Sequence, residues 1–456
     1  KSSGSGYQLA SALLREGCGG LVLTVKPDER ATWERYCAEA GRSEDLCVFS
    51  PGGPWRFNFL DHAHSRAGSE GGMTETVVNV LSTVLEVADR SASGGGGRDD
   101  EGYWRRANRQ LMRNAIDLLS IATGRIGVPE LYRLVISAPT SLDQLRSEEW
   151  KAKSYCYQCL AAADRAHKSP VQRSDFEIVA DYFCVEFPNL SEKTRSVVVS
   201  TFTSMVDVLN RGILRQHFCS DTNLTPEAAE QGKIILIDFP VKQFGEVGVF
   251  AQVLWKYAFQ RTIERRNVVE NSRPVFLWAD EAQNFITSYD MQFQTTCRSS
   301  RVATVLLTQN VSNVYAALGG SEKGRVEAAS LFANLNTKIL HANSDPVTNE
   351  WAASIVGRTL QQFANGNTSS SNDDASGAAF GIDWLGHTKN TSAGFSESFE
   401  WDLQPSEFLK LRTGGPANDW LVDAVVVRNG KAFAATGRNW LVTSFEQAQR
   451  QRRRKR

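Results

Sequence analysis

Short apolar runs alternate with stretches long enough for a helix in the second half of the sequence, and this alternation limits the fold more than any other feature. The runs lie at residues 233–239, 274–281, 303–309 and 337–341. They are rich in Val, Ile and Leu, and residues 248–265 between the first two have helical periodicity. Apolar strands joined by helices are typical of a parallel sheet covered on both faces. The pattern predicts a doubly wound α/β sheet that includes all these runs.

Two earlier strand-like runs, residues 20–25 and 45–49, fit the same sheet. From residue 73 to residue 225 the pattern becomes helical. We therefore expect an all-α domain at 73–225, inserted into a sheet domain made of residues 1–72 and 226–449. Residues 365–377 are rich in Asn, Ser and Gly and predict a flexible loop, and residues 450–456 form a basic tail.

Composition sets limits on partners and location. The 456 residues carry 51 Lys and Arg against 51 Asp and Glu, a formal net charge of zero. Contact with DNA would therefore need local basic patches or a pore built from several subunits. The 8 cysteines show no secreted framework, so we expect reduced cytosolic thiols. No run approaches the roughly 18 apolar residues of a membrane span.

The first two residues match the end of a phosphate-binding loop. That loop reads G-x-x-x-x-G-K-[ST] before a helix, and Lys1-Ser2 would supply its last two positions. In such loops the Lys reaches the phosphates and the hydroxyl holds Mg²⁺. A cloning linker explains the same letters equally well. Since the chain opens without Met, we expect the loop glycines and any membrane anchor to precede Lys1.

Polar side chains end two of the predicted strands. Asp280 and Glu281 close the run at 274–281, where an Asp can hold the Mg²⁺ shell and a Glu can polarise water. Gln309 closes the next run, where an amide can sense a γ-phosphate or orient water. The alternatives are a solvated strand end for the acidic pair and a structural amide for Gln309. Taken with Lys1-Ser2, these positions favour ATP hydrolysis.

Arg298 and Arg301 lie in the loop before the strand that ends at Gln309. An arginine in such a loop can reach a neighbouring subunit and stabilise transition-state charge there. The alternative for each is an ordinary surface ion pair.

Four stretches resemble the TraG/TraD-type conjugative coupling proteins of type IV secretion, in the FtsK–HerA superfamily of DNA-pumping ATPases. They are residues 20–27 (GLVLTVKP), 273–285 (RPVFLWADEAQNF), 298–310 (RSSRVATVLLTQN) and 337–351 (TKILHANSDPVTNEW). The resemblance implies a P-loop NTPase of the RecA/FtsK-like kind, with an inserted all-α domain. It also implies ATP and Mg²⁺ as cofactors and a homohexamer around a DNA channel.

The resemblance assigns roles to individual residues. It implies nucleotide binding by Lys1 and Ser2, Mg²⁺ ligation by Ser2 and Asp280, catalysis by Glu281 and Gln309, and a trans-acting arginine at Arg298 with Arg301 as runner-up.

We therefore expect an ATP-driven DNA translocase of the coupling-protein type, with DNA, its own copies and relaxosome or secretion-channel proteins as partners. It is expected in the cytoplasm, at the cytoplasmic face of the bacterial inner membrane in the full-length protein. A soluble HerA/FtsK-like translocase in DNA processing or phage defence is one alternative. A non-hydrolysing, nucleotide-binding assembly scaffold is the other.

Overall fold

A parallel sheet forms the centre of the amino-terminal unit. The computed structural model describes residues 1–66, 73–92, 100–370 and 389–448, and the chain divides into two compact units, Lys1–Leu335 and Asn336–Arg456. The strands of the first unit are β1 (Gly19–Leu23), β2 (Leu46–Phe49), β3 (Ile234–Ile237), β4 (Val275–Ala279) and β5 (Val302–Leu306). Their order is β2-β3-β1-β4-β5, and every neighbouring pair is parallel. The predicted α/β sheet is confirmed.

Three of the apolar runs become fully buried strands because helices cover both faces of the sheet. Every residue of β1, β3 and β4 is buried. Trp33 stacks on Phe276 with ring centroids 5.9 Å apart, whereas Trp255 is fully buried on the long helix that follows β3. At Gly20 a Cβ atom would lie 2.6 Å from the Phe276 ring, so only glycine allows β1 and β4 to pack at this point.

The helices of this unit fall into two groups. Those attached directly to the sheet are α1 (Tyr7–Arg15), α2 (Glu29–Glu39), α14 (Val241–Glu264), α15 (Ser288–Thr296), α16 (Val311–Ala317) and α17 (Glu322–Asn334). Between β2 and β3 the described residues contain helices and no strand: α3 (Phe59–Arg66), α4 (Met73–Ala92), α5 (Asp100–Thr123), α6 (Val128–Ile136), α7 (Leu142–Arg146), α8 (Glu148–Lys153), α9 (Tyr155–Arg165), α10 (Pro170–Asp181), α11 (Phe187–Asn189), α12 (Glu192–Leu209) and α13 (Gly212–Phe218).

Serine hydroxyls begin several helices of the second group. Ser141, Ser147, Ser154, Ser169 and Ser191 each accept a hydrogen bond from an amide three residues later, which satisfies a backbone donor that the helix itself leaves open. In the described part of the chain no single helix has the length and hydropathy of a membrane span, although the bent pair α12 and α13 reaches them together across an 82° angle.

The carboxy-terminal unit corrects one prediction. Its three-stranded antiparallel sheet has the order β10-β9-β6, made of β6 (Thr337–His341), β9 (Leu421–Arg428) and β10 (Trp440–Glu446). The run at 337–341 was predicted as a further strand of the parallel sheet, and this is wrong. An apolar run predicts a strand but not its partner, and here the partner lies more than 80 positions later in the chain. Helix α18 (Pro346–Val356) packs against this sheet through Ala353 and Val356.

A two-stranded antiparallel ribbon completes the second unit. It consists of β7 (Arg358–Ser370) and β8 (Lys389–Trp401). The loop predicted at 365–377 therefore begins inside β7, because the backbone ladder to β8 continues through residues of loop-like composition; residues 371–377 lie outside the described residues. The basic tail also lies outside them. The division at residues 73 and 225 stays a prediction.

Candidate functional site

The predicted polar residues meet at the carboxyl edge of the parallel sheet. Asp280 and Glu281 follow β4, and Gln309 follows β5. Parallel neighbours end at the same edge, which is where α/β sheets place their ligand sites. Gln309 Nε2 donates a hydrogen bond to Glu281 Oε1 at 3.1 Å, so the two strand ends are in direct contact.

Lys1 and Ser2 lie at this same edge, 278 to 280 positions away along the chain from their partners. Ser2 Oγ donates a hydrogen bond to Asp280 Oδ2 at 2.7 Å. Lys1 Nζ donates to Glu281 Oε1 at 3.0 Å and lies 3.5 Å from Asp280 Oδ1. The structure thus brings together the five residues in which the sequence predicted nucleotide binding, metal binding and water activation.

A tight turn carries Lys1 and Ser2 into helix α1. Residues Ser2–Gly6 form one π-helical turn, and the Lys1 carbonyl accepts hydrogen bonds from the amides of Gly4 and Gly6 at 3.2 and 3.0 Å. A Cβ atom on Gly6 would lie 3.3 Å from both the Lys1 carbonyl oxygen and the Leu307 side chain. The turn is therefore tightly packed where it passes the end of β5, and it places the amino-terminal end of α1 beside the acidic pair.

Glu281 is ionised and firmly held. It receives hydrogen bonds from Lys1, from Gln309 and from Gln283 Nε2, the last at 3.0 Å to Oε2. Burial opposes ionisation of this carboxyl, but the three donors outweigh it and lower its pKa. The carboxylate is consequently available as an acceptor for a proton or a hydrogen bond at neutral pH.

Sequence reasoning missed Gln283. Its amide bridges the two strand ends, since Nε2 donates to Glu281 and Oε1 accepts a hydrogen bond from Thr308 Oγ1 at 3.0 Å. The backbone of Glu281 has a φ of 49°, which turns the chain so that a residue two positions later faces the same carboxylate. A polar residue just after an acidic pair at a strand end was the only available signal.

A buried ion pair fixes the segment that follows Glu281. Lys256 of α14 donates to Asp290 of α15 and to the carbonyl of Phe285 at 2.5 Å. Asp290 also accepts a hydrogen bond from Gln260 at 2.7 Å. These contacts tie the turn between β4 and α15 to the helix across the sheet, so Glu281 projects from a well-anchored loop.

Arg298 and Arg301 lie away from this cluster. Both are exposed, in the turn between α15 and the start of β5. The five residues of β5 separate them from the carboxyl edge, a distance of roughly 16 Å at the usual rise per strand residue. The structure does not bring either arginine to the site of its own chain, so any catalytic role depends on a neighbouring subunit.

The oxygen atoms of the cluster suit Mg²⁺. Ser2 Oγ and Asp280 Oδ2 are hard ligands 2.7 Å apart, and Mg²⁺ prefers one or two such ligands together with water and phosphate oxygens. Among the described residues no group of three or more His, Cys, Asp or Glu side chains could hold a metal ion. The site therefore fits a metal that arrives with a phosphate ligand and not one held by an all-protein cage.

Comparison with known proteins gives a family-model match over part of the chain and a structural match over nearly all of it. Residues 274–406 match the family model of the TraM recognition site of TraD and TraG. No curated protein sequence matches the chain.

Among solved structures, the conjugative coupling protein TrwBdeltaN70 in its unbound monoclinic form has a TM-score of 0.55 at 15% identity, over 98% of this chain and 82% of that one. TrwB in complex with the ATP analogue ADPNP gives 0.55 at 14% identity, over 97% and 83%. The trigonal TrwBdeltaN70 form with sulphate gives 0.52 at 14% identity, over 97% and 83%.

The match over nearly the whole chain confirms the predicted P-loop NTPase fold with its all-helical domain. Through the family model at residues 274–406 and through this shared fold, the chain shows the predicted resemblance to the TraG/TraD-type conjugative coupling proteins.

Proposed function

We propose that this chain is the ATP-hydrolysing motor of a conjugative coupling protein, which moves DNA through a homohexameric ring in type IV secretion. The observation that carries the proposal is the contact of Lys1 and Ser2 with Glu281 and Asp280 across one sheet edge. Phosphoryl transfer uses a set of groups of this kind at the amino-terminal end of a helix. Here they are a cation, a hydroxyl, two carboxylates and the Gln309 amide.

The binding step follows from charge. Lys1 is the cation nearest to the turn that leads into α1, and triphosphate oxygens would take the place of Glu281 as its partners. Ser2 and Asp280 would hold Mg²⁺, which offsets the negative charge of the phosphates. The helix turn after Ser2 adds backbone N–H groups and a favourable helix dipole for an anion.

The hydrolytic step needs a base and an oriented water. Glu281 is ionised and can take a proton from the water as its oxygen bonds to the γ-phosphorus and the bond to the β-phosphate oxygen breaks. Gln309 donates to the same carboxylate, so it lies where an amide could bind both the water and the γ-phosphate. Release of that phosphate would be sensed at the end of β5.

Ring assembly supplies what one chain lacks. Arg298 lies at the opposite edge of the sheet from its own site, so in our proposal it completes the site of the next subunit, with Arg301 as the second candidate. A chain of zero net charge also needs several copies of a modest basic loop to concentrate positive potential around DNA.

The partners and the location follow from the resemblance. Since the matching family model is described as the TraM recognition site of TraD and TraG, we propose a TraM-like relaxosome protein as one partner and the secretion channel as another. The full-length protein would then act at the cytoplasmic face of the inner membrane.

The decisive experiment measures DNA-stimulated ATP turnover by the full-length protein and by Glu281→Gln. We expect turnover to fall by at least about a hundredfold in this variant, because the neutral amide cannot take a proton. Glu16→Gln, which changes an exposed carboxylate at the end of α1, is the matched control and is expected to match the wild type.

Unchanged turnover in Glu281→Gln would remove the assigned base. A wild-type protein that binds nucleotide but never hydrolyses it would instead favour the assembly scaffold. Two results together would favour a HerA/FtsK-like role outside secretion. One is DNA-stimulated turnover without any conjugative partner, and the other is normal plasmid transfer in a strain from which the gene is deleted.

A further inference from the structure

Glu29 begins helix α2, just beyond the carboxyl end of β1. The register of the sheet pairs Leu23 of β1 with Ala279 of β4, and Asp280 is the next residue of β4's chain. Glu29 and Asp280 therefore leave neighbouring strands at the same edge of the sheet. Neither the sequence patterns nor the resemblance had singled out this glutamate.

The two carboxylate oxygens of Glu29 have different surroundings. Oε2 accepts a hydrogen bond from the amide of Val25 at 2.8 Å, which fixes the turn between β1 and α2. Oε1 is buried and has no hydrogen-bond partner among the described residues. Burying an acceptor without a donor costs about 1–3 kcal/mol. A purely structural role for Glu29 accounts for the hydrogen bond of Oε2 but not for the burial of Oε1 without a donor.

Nearby cations already have other partners. Lys1 pairs with Glu281 and lies near Asp280, and Arg30 pairs with Glu34 and Asp238. Burial raises the pKa of Glu29 to about 7, and the charge of Asp280 adds to the rise. The backbone amides of Val25 and Lys26 and the charge of Lys26 oppose the rise but do not cancel it. The charge of Asp280 is thus felt at Glu29, and no side chain of the described residues donates a hydrogen bond to Oε1.

We propose that Glu29 is a positioning residue of the metal site, whose Oε1 accepts a hydrogen bond from a water bound to the Mg²⁺ at Ser2 and Asp280. The inference rests on the proposed function and deepens it. Mg²⁺ gives up its waters reluctantly, and its bound waters are strong donors, so a carboxylate one shell away is a suitable acceptor. A divalent cation would also offset the repulsion between the two carboxylates.

The test is Mn²⁺ binding, measured by electron paramagnetic resonance in the full-length protein with ADPNP, for the wild type and Glu29→Gln. The glutamine keeps an acceptor for the Val25 amide and removes only the charge. We expect Mn²⁺ to bind about tenfold more weakly, as is usual when an outer partner of a metal site is lost. Nucleotide affinity in EDTA is expected to be unchanged, and circular dichroism checks the fold.

Glu34→Gln on the same helix is the control, because that carboxylate is half-exposed and pairs with Arg30. Glu29→Asp keeps the charge but moves it away from the metal site, because the side chain is shorter. It should also weaken Mn²⁺ binding, and it replaces the first variant if that one misfolds. Mn²⁺ affinity equal to the wild type overturns the inference, as does an equal loss of metal-free nucleotide binding. A wild-type protein that binds no Mn²⁺ with nucleotide contradicts the proposed function itself.

Discussion

Glu281 combines backbone strain with tightly defined hydrogen bonds. Its left-handed φ of 49° costs a non-glycine residue on the order of 1–2 kcal/mol. The turn is held by the neighbouring backbone, since Ala282 N donates to the Leu307 carbonyl at 2.9 Å and Asn284 donates to the carbonyl of Glu281 at 2.8 Å. At this φ the chain leaves the direction of the strand, and the carboxylate faces Lys1 and Gln309.

The acid limb of the pH–rate profile should show the effect of Gln309 on the pKa of Glu281. Its hydrogen bond helps to lower the pKa of Glu281, so Gln309→Leu should raise that pKa toward its ordinary value. In the proposed mechanism activity needs the ionised form and is lost as pH falls through the pKa, so the loss should begin at a higher pH in the variant. We also expect turnover at neutral pH to fall by about ten- to a hundredfold.

Steady-state turnover between pH 4 and 8 checks this prediction. Gln292→Leu, at an exposed position of α15, is the matched control and should leave the profile unchanged. A profile of Gln309→Leu that is lower at every pH but unshifted would mean that the amide acts on the substrate and not through the ionisation of Glu281.

Single residues were predictable where a strand pattern fixed their position. Asp280, Glu281 and Gln309 each close an apolar run, and parallel strands bring such ends together. Gln283 and Glu29 were missed for another reason. The role of Gln283 depends on the turn at Glu281, and that of Glu29 depends on the burial of one oxygen atom; neither is visible in composition or spacing.

Whether a helix or strand could be predicted also depended on whether local or distant residues determine it. Strands β1 to β5 were predicted because continuous apolar runs are typical of the strands of a parallel sheet. The assignment of β6 to the parallel sheet failed because the antiparallel pairing with β9 depends on a distant segment. The ribbon β7–β8 was missed because its polar residues favour a loop, and a ladder of backbone hydrogen bonds overrides that preference.

Asp423, near the start of β9, offers a test of electrostatic stabilisation. Arg412 donates two hydrogen bonds to Asp423 of β9, each 2.8 Å, and Ser444 of β10 donates a third at 2.6 Å. The bonds from Arg412 hold the pKa of Asp423 at about 2 despite partial burial. Because this pKa is below the unfolded value near 4, the stabilisation is complete above pH 4 and is lost as pH falls toward 2.

Asp423→Asn should therefore destabilise the carboxy-terminal sheet by about 1 kcal/mol at neutral pH and by almost nothing at pH 2. Amide hydrogen exchange in β9 measures this local stability directly. Glu350→Gln, at an exposed carboxylate of α18 in the same unit, is the control and should have little effect at either pH. A difference between Asp423→Asn and the wild type that persists at pH 2 would contradict the electrostatic explanation.

At the scale of the whole molecule, the role proposed for Arg298 would make hydrolysis a property of the assembly, because this arginine is separated from the site of its own chain. A ring of identical chains uses a head-to-tail interface, in which one surface of each subunit meets a different surface of the next. If that interface brings Arg298 to the Lys1 of the neighbour, a lone chain has an incomplete site. Turnover should then rise with protein concentration until the ring is formed.

Mixing two inactive variants distinguishes this arrangement from an arginine that acts only within its own chain. Arg298→Ala lacks the donated charge, and Lys1→Ala lacks the phosphate-binding cation but keeps Arg298. In a random one-to-one ring, about a quarter of the interfaces would join an intact Lys1 to an intact Arg298, so turnover should recover to a measurable fraction of the wild type.

Arg301→Ala mixed with Lys1→Ala runs in parallel, because Arg301 is equally exposed in the same turn. Recovery limited to the Arg301 mixture would move the role to that residue, and no recovery in either would mean that these arginines do not cross the interface.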